Sequence, residues 1–127
     1  MSKNALRLTL AAAALFASAP AVHAGKVTDH PVNIAGKSVS GSMETARNSA
    51  DTEQYIGCSL KYRGDIDQTE VSCVARDKFE KSLGCASTKP EFVPVASGIT
   101  DYAWIYFECD GPELVSLTAA KYSHHLP

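Results

Sequence analysis

The sequence lacks a strong excess of charge of either sign. It has 12 Lys and Arg against 14 Asp and Glu, and no run of five basic residues. Because attraction to phosphates dominates nucleic-acid binding, this balance argues against DNA or RNA as a partner, and equally against an anionic membrane surface. The chain also lacks an apolar run near the roughly 20 residues of a spanning helix. With 127 residues it has room for one small domain, which we expect to be soluble.

Signatures of catalysis are missing as well. The sequence contains no Gly-x-Ser-x-Gly, no C-x-x-C and no pair of carboxylates in an apolar frame that would raise one pKa. Residues 31–38 resemble a phosphate-binding loop, but Pro31 stands where that motif has its first glycine. We expect a protein that is not an enzyme and carries no cofactor. A small hydrolase with a carboxylate site that spacing does not reveal is the alternative.

The first residues have the pattern of a secretory signal peptide. Lys3 and Arg7 supply positive charge, an apolar run of about a dozen residues follows, and the segment ends on small residues. This pattern predicts a signal peptide over residues 1–24, cleaved between Ala24 and Gly25. The protein would then be periplasmic or secreted.

Four cysteines lie beyond that site, and an even number in a small exported chain predicts two disulfides. The cysteines are 15, 12 and 24 positions apart, without the close pairs that zinc sites favour. Spacing does not decide among the three pairings. We favour Cys73–Cys85 with Cys58–Cys109, a local bond and one that ties two hairpins. Cys58–Cys73 with Cys85–Cys109 comes next, because directly opposed residues can bridge.

Alternation of apolar residues predicts a β-hairpin over residues 54–62 and 69–76, joined by a loop at residues 63–68. In that register all the apolar residues share one face. The predicted pairs are Ile56 with Ala75, Cys58 with Cys73, Leu60 with Val71, and Tyr62 with Thr69.

The other segments are predicted from local signals. Ser42 is a good N-cap for a short helix over residues 43–51, with Met43, Ala46 and Ala50 on one face. Asp77 to Glu80 resembles a capping box that opens one or two helical turns before Gly84. A short interrupted helix fits residues 86–100, and strands fit residues 101–110 and 114–123.

Together these elements predict an α+β fold: a small antiparallel sheet of about four strands in two hairpins, one short helix packed on it, and two disulfides. The expected boundaries are an extended or partly disordered arm at residues 25–41, with one edge strand near residues 32–35, the stapled domain at residues 42–123, and an exposed tail at residues 124–127.

Tyr102, Trp104 and Tyr106 alternate on one side of the predicted strand. Exposed, they would form an aromatic ladder suited to a sugar, a peptide strand or another protein. The alternative, which we favour, is that the helix face of Met43, Ala46 and Ala50 covers them. His124 and His125 are weak candidates for a zinc or copper contact, short of the three or four ligands of a firm site.

A motif near the start of the predicted domain resembles that of a known group of proteins. The pattern G-S-x3-A-R-x-S-x-D-x3-Y-I-G-C spans residues 41–58, V-S-C-V-A-R-D follows at residues 71–77, and Tyr-Ser stands at residues 122–123. These motifs are similar to small exported bacterial proteins of unassigned function. The resemblance implies export and disulfides and assigns no catalytic or binding residue. The function we expect is that of an exported binding or accessory protein, for example an inhibitor, whose partner meets the aromatic ladder or the loop at residues 63–68. A weak metal-handling protein that acts through the C-terminal histidines is a further alternative.

Overall fold

The computed structural model describes residues 28–123, which form one seven-stranded sheet and two short helices. The strand order is β1-β2-β6-β7-β5-β4-β3, and the sheet curls into a half-barrel. Neighbouring strands are antiparallel except β5 and β7, which run parallel and share a single bridged pair. The elements are β1 (Asn33–Ala35), β2 (Ser38–Ser42), α1 (Met43–Arg47), β3 (Tyr55–Arg63), β4 (Gln68–Arg76), β5 (Ser82–Ser87), α2 (Phe92–Ser97), β6 (Trp104–Asp110) and β7 (Glu113–Ala120).

The predicted α+β fold with about four antiparallel strands and one helix is therefore wrong. Two segments account for the difference. The expected arm supplies β1 and β2, and the segment expected to open a helix at Asp77 leads into β5. The parallel contact between β5 and β7 joins residues far apart in sequence, so no local pattern indicates it.

The first hairpin belongs to the sheet because β2 pairs with β6 and the few apolar side chains of the hairpin are buried in the core. Val32, Ile34 and Val39 are buried, with Ile34 directly opposite Val39. Gly36 has a φ of 61°, which suits the two-residue turn between β1 and β2. β2 then pairs with β6 along its whole length. It therefore crosses the predicted boundary between the arm, expected to end at residue 41, and the stapled domain, expected to begin at residue 42.

The hairpin of β3 and β4 confirms the predicted register. Arg63 and Gln68 also pair, so the connecting loop is shorter than expected. The four predicted pairs are all present: Ile56↔Ala75, Cys58↔Cys73, Leu60↔Val71 and Tyr62↔Thr69.

The helical predictions have mixed outcomes. Ser42 caps α1 by accepting a hydrogen bond from the Thr45 N–H, but the helix ends at Arg47. The predicted helical turns after Asp77 are wrong, because that segment is a hairpin loop followed by β5. The short interrupted helix predicted within residues 86–100 is confirmed as α2, which ends at Ser97 with Gly98 as its C-cap.

The favoured disulfide pairing is wrong. The structure links Cys58 to Cys73 and Cys85 to Cys109. The favoured Cys58–Cys109 bond would join β3 to β6, which the strand order separates by β4, β5 and β7. Strands lie about 4.8 Å apart, far beyond the reach of one disulfide. Both disulfides indicate that the chain folds in an oxidising compartment.

The core lies on the inner face of the half-barrel, beneath the two helices. Ala46 of α1 and Ala96 of α2 pack into it. Within residues 28–123, no helix has the length and apolar character needed to cross a membrane. The side chains that are fully buried and largest are those of Phe107, Ile105, Leu114, Val39 and Val71.

Candidate functional site

The loop that joins β4 to β5, residues 77–81, is built around one buried carboxylate. Asp77 Oδ1 accepts hydrogen bonds from the backbone N–H of Phe79 at 2.9 Å and of Lys81 at 3.0 Å. The Asp77 N–H donates to the Lys81 carbonyl at 2.9 Å, and the Glu80 N–H donates to the Asp77 carbonyl at 3.1 Å. These hydrogen bonds hold the segment, called the Phe79 loop below, in one conformation.

The Phe79 loop also contains a residue in the left-handed region. Glu80 has a φ of 66°, which is uncommon for a residue with a side chain. Such a conformation persists only where the surrounding contacts fix it. Here the hydrogen bonds to Asp77 do so, and the result is a loop whose shape is set before any partner arrives.

Phe79 stands at the tip of this loop and is 73% exposed, the highest fraction among the large hydrophobic side chains that the structure describes. Lys78 Nζ lies 5.1 Å from the centroid of its ring, within the range of a cation–π contact. Lys81 adds a second positive charge at the end of the loop. The tip therefore presents an aromatic ring beside two cations.

Ion pairs are formed at the end of β4, the strand that leads into the Phe79 loop. Arg76, the last residue of β4, lies 3.2 Å from a Glu53 carboxylate oxygen and 3.4 Å from one of Glu80. Exposed pairs of this kind stabilise weakly, by about 0–1 kcal/mol each. Their contribution here is to orient the base of the loop against the segment before β3.

Both strands that carry the Phe79 loop are anchored by disulfides. Cys73 of β4 lies directly opposite Cys85 of β5, but each bonds to a different neighbour. Cys73 is linked to Cys58 on one side, and Cys85 to Cys109 on the other. The hairpin is thus covalently tied to the adjacent strand β3 on one side and, beyond β7, to β6 on the other.

A second exposed apolar region lies at the tip of the β3–β4 hairpin. Leu60 and Ile66 are each 44% exposed, and Tyr62 is 63% exposed. The Tyr62 hydroxyl donates a hydrogen bond to the Asp67 carboxylate, which raises the pKa of Tyr62. Asp67 itself has a φ of 52°, so this tip also has a fixed, left-handed turn.

Charged groups in the same tip pair with one another. The Arg63 guanidinium donates to Asp65 at 2.7 Å and lies 3.6 Å from Glu70. The hydrogen bond from Arg63 lowers the pKa of Asp65. Of the two partner surfaces predicted from the sequence, the loop at residues 63–68 therefore has Arg63 already paired with carboxylates of its own hairpin.

A groove of about 400 Å³ separates this tip from α2. Gln68 and Thr69 form one wall, and Val93 and Pro94 form the other. The groove is open to solvent, and the partly buried Val93 packs against the core at its base.

The predicted aromatic ladder lies on the outer face of the sheet. Trp104 and Tyr106 are half-buried, with ring centroids 6.3 Å apart and ring planes 14° from parallel. Tyr102 is also half-buried, in the turn before β6. The residues opposite the two ladder positions of β6 are small: Ser42 and Ala120 beside Trp104, Ser40 and Thr118 beside Tyr106.

The favoured alternative, in which α1 covers the ladder, is wrong. Ala46 of α1 belongs to the same core as Ile105 and Phe107, which point away from Trp104 and Tyr106 because side chains alternate along a strand. Trp104 and Tyr106 therefore lie half-buried on the face of β6 opposite the core residues Ile105 and Phe107. Whether this face binds a ligand stays a prediction.

Within residues 28–123, no group of three or more His, Cys, Asp or Glu side chains is placed to hold a metal ion. His124 and His125, the weak metal candidates, lie outside the described residues.

Reasoning from the sequence missed the Phe79 loop. Asp77 followed three residues later by Glu80 resembles a helix-capping box, and the same aspartate can equally hold a turn by accepting from backbone N–H groups. The signal that favours the turn comes afterwards: Leu83, Cys85 and Ser87 alternate with a period of two residues, as in a strand. In the structure all three face inward.

Comparison of the chain with models of protein families, with curated proteins and with solved structures finds no match.

Proposed function

We propose that the protein is an exported, non-enzymatic binding protein of the inhibitor-like kind that inserts Phe79 into an apolar pocket of a partner protein. The observation that carries this proposal is the 73% exposure of an aromatic ring on a loop that hydrogen bonds hold in place. Exposed aromatic side chains of this kind are enriched where proteins bind one another.

The rigidity of the loop supports the same conclusion. Ordering a flexible loop upon binding costs affinity, whereas a loop already held in its bound shape avoids that cost. Asp77 fixes the loop from within, and the two disulfides fix the strands on which it stands. Lys78 and Lys81 favour a partner whose pocket has an acidic rim.

Export of the protein to an oxidising compartment is part of the proposal. The two disulfides fit an oxidising compartment, and the signal pattern provides for export with cleavage between Ala24 and Gly25. The mature protein would then begin at Gly25. Intact mass measurement of the protein taken from its native compartment tests that mature end directly.

Site-directed photocrosslinking tests the binding surface. A photoreactive phenylalanine analogue is placed at Phe79 in one protein and at Val115 in a control, and both are irradiated in the native host. Val115 is 46% exposed on β7, outside the Phe79 loop. We expect a defined adduct with one protein from position 79 only. Equal adducts from both positions, or none from position 79, would contradict the proposal.

Purified variants then test how the loop binds. With the crosslinked protein as ligand, Phe79→Ala is expected to weaken binding at least about tenfold, as for an aromatic hot spot. Asp77→Ala keeps the ring but frees the loop, so it is expected to weaken binding by a smaller factor. Asp77→Asn retains an acceptor oxygen and is the matched control. Unchanged affinity in Phe79→Ala would remove the ring from the interface.

A further inference from the structure

β3 is the terminal strand of the sheet, and it pairs with β4 on one side only. Residues 59–62 of this strand are all exposed. Leu60 and Tyr62 point to the inner face, as Ile56 does, yet they lie beyond the core and stay 44% and 63% exposed. Natural sheets normally shield such an edge with charge, proline or a covering element.

The backbone groups at this edge can be assigned from the disulfide. Cys58 and Cys73 are directly opposed, with Cα atoms 4.0 Å apart, which is the close spacing of a pair that does not exchange backbone hydrogen bonds. Since the two kinds of pair alternate along the strand, Cys58, Leu60 and Tyr62 direct their N–H and C=O groups away from β4. The open edge therefore carries donors and acceptors for a further strand.

We propose that this edge pairs with the same edge of a second copy of the chain, antiparallel about a two-fold axis at Leu60. Leu60 then lies opposite Leu60 of the second copy, and Cys58 of each copy lies opposite Tyr62 of the other, which makes three pairs. Three such pairs, each exchanging two backbone hydrogen bonds, give about six bonds between the subunits. The apolar side chains of Leu60 and Tyr62 cover one another on the inner face.

The charges on the outer face select this register. With Leu60 on the axis, Lys61 lies opposite Ser59 and Arg63 opposite Gly57, so no two cations lie directly opposite one another. A shift of two residues along the strand in one direction places Lys61 opposite Lys61 of the second copy, which is unfavourable. A shift of two residues in the other direction would place Tyr62 opposite Ile56 of the second copy. Ile56 is only 6% exposed and lies beside α1, so the edge is not accessible there.

A second copy fits this edge better than an unrelated strand because the apolar side chains of Leu60 and Tyr62 match across the axis and no cation lies directly opposite another. A symmetric, self-complementary patch is also the form of most homodimer interfaces. With about seven residues from each strand, the interface is small, so association is expected to be weak and dependent on concentration.

Sedimentation velocity of the mature, oxidised protein from about 5 to 500 µM tests the proposal. We expect a monomer–dimer equilibrium. Leu60→Lys and Leu60→Glu each place like charges opposite one another on the axis, so each is expected to weaken the dimer at least about tenfold. An equimolar mixture of the two variants is expected to recover dimer, since opposite charges then meet. Val115→Lys, a change at a 46% exposed valine of β7, is the matched control and is expected to dimerise normally.

Tyr62→Ser is a second variant in case a charge at position 60 perturbs folding, and it is expected to weaken the dimer as well. A monomeric wild-type protein over the whole range would overturn the proposal, as would normal dimers of the Leu60→Lys variant. Failure of the mixture to recover dimer would overturn the register. A monomer that binds an added apolar peptide strand would assign the edge to a foreign partner instead. None of these outcomes involves Phe79, so the proposed function is tested separately.

Discussion

Cys85 of β5 is bonded to Cys109 of β6, although β7 lies between these strands in the order of the sheet. The bond is needed at this place because β5 and β7 share only the pair Ala86↔Glu113. The ladders of paired residues on the two sides, between β4 and β5 and between β6 and β7, are much longer. The disulfide therefore holds together two parts of the sheet that backbone hydrogen bonds join weakly.

This arrangement predicts unequal losses when each disulfide is removed. Cys58–Cys73 joins β3 to β4, which already share nine paired residues, whereas Cys85–Cys109 spans the weak junction. We expect replacement of the first pair by serine to lower the free energy of unfolding by about 2–3 kcal/mol, and replacement of the second by about 3–5 kcal/mol. Urea denaturation of the two double variants measures both values. A larger loss from the first pair would show that the junction does not depend on its disulfide.

The sequence predicted the β3–β4 hairpin because both strands are long and strictly alternating, so only one register places the apolar residues together. β1 and β2 are short, and Val32, Ile34 and Val39 are spaced too widely among polar residues to indicate a strand pair by themselves. They become a hairpin because β6 offers a partner edge, with Phe107 opposite Val39. That partner lies about 70 residues away, beyond the range of any local pattern.

The candidate site could be predicted only in part for the same reason. The alternation at Trp104 and Tyr106 correctly placed both rings on one face of a strand. Their surroundings depend on which strands flank β6 and on where α1 packs, and both are properties of the whole sheet. The disulfide pairing likewise follows from strand order, because Cys73 lies opposite both Cys58 and Cys85.

Two glycines predict opposite responses to the same substitution. A Cβ at Gly41 would lie 3.0 Å from Val32 Cα and 3.2 Å from Val32 Cγ2, so Gly41→Ala must push β2 away from the segment that precedes β1. We expect a loss of about 1–3 kcal/mol in the free energy of unfolding. A Cβ at Gly57 would meet nothing within 4 Å, and Gly57→Ala is expected to be neutral or to stabilise by up to about 1 kcal/mol. Urea denaturation of both variants is the measurement, and a neutral Gly41→Ala would contradict the close packing.

Asp51 organises the segment between α1 and β3. Its carboxylate accepts hydrogen bonds from the Gln54 side chain at 2.5 Å, from the Glu53 N–H at 2.8 Å and from the Gln54 N–H at 3.1 Å. Gln54 in turn accepts a hydrogen bond from the Val32 N–H at 2.9 Å. Through Gln54, Asp51 thus connects the start of β3 to the segment before β1.

The same hydrogen bonds make stability depend on pH. The amide of Gln54 first, and then the backbone N–H of Glu53, lower the pKa of Asp51 below its ordinary value. Because the folded pKa lies below the unfolded one, the stabilisation from Asp51 is fully present above the unfolded pKa and is lost as the pH falls through the folded pKa. Below about pH 4, the ordinary pKa of an aspartate, the wild-type protein should therefore lose the stabilisation from Asp51 progressively until the pH lies below the folded pKa.

Asp51→Asn removes this titration and is expected to flatten the acid side of the stability curve while lowering stability at neutral pH. Urea denaturation between about pH 2 and pH 7 measures the two curves. Glu91→Gln is the control, since the Glu91 side chain makes no capping hydrogen bond to α2 and its removal changes the charge by the same amount. If the Asp51→Asn and wild-type curves stay parallel down to the lowest pH, the hydrogen bonds to Asp51 do not stabilise the fold.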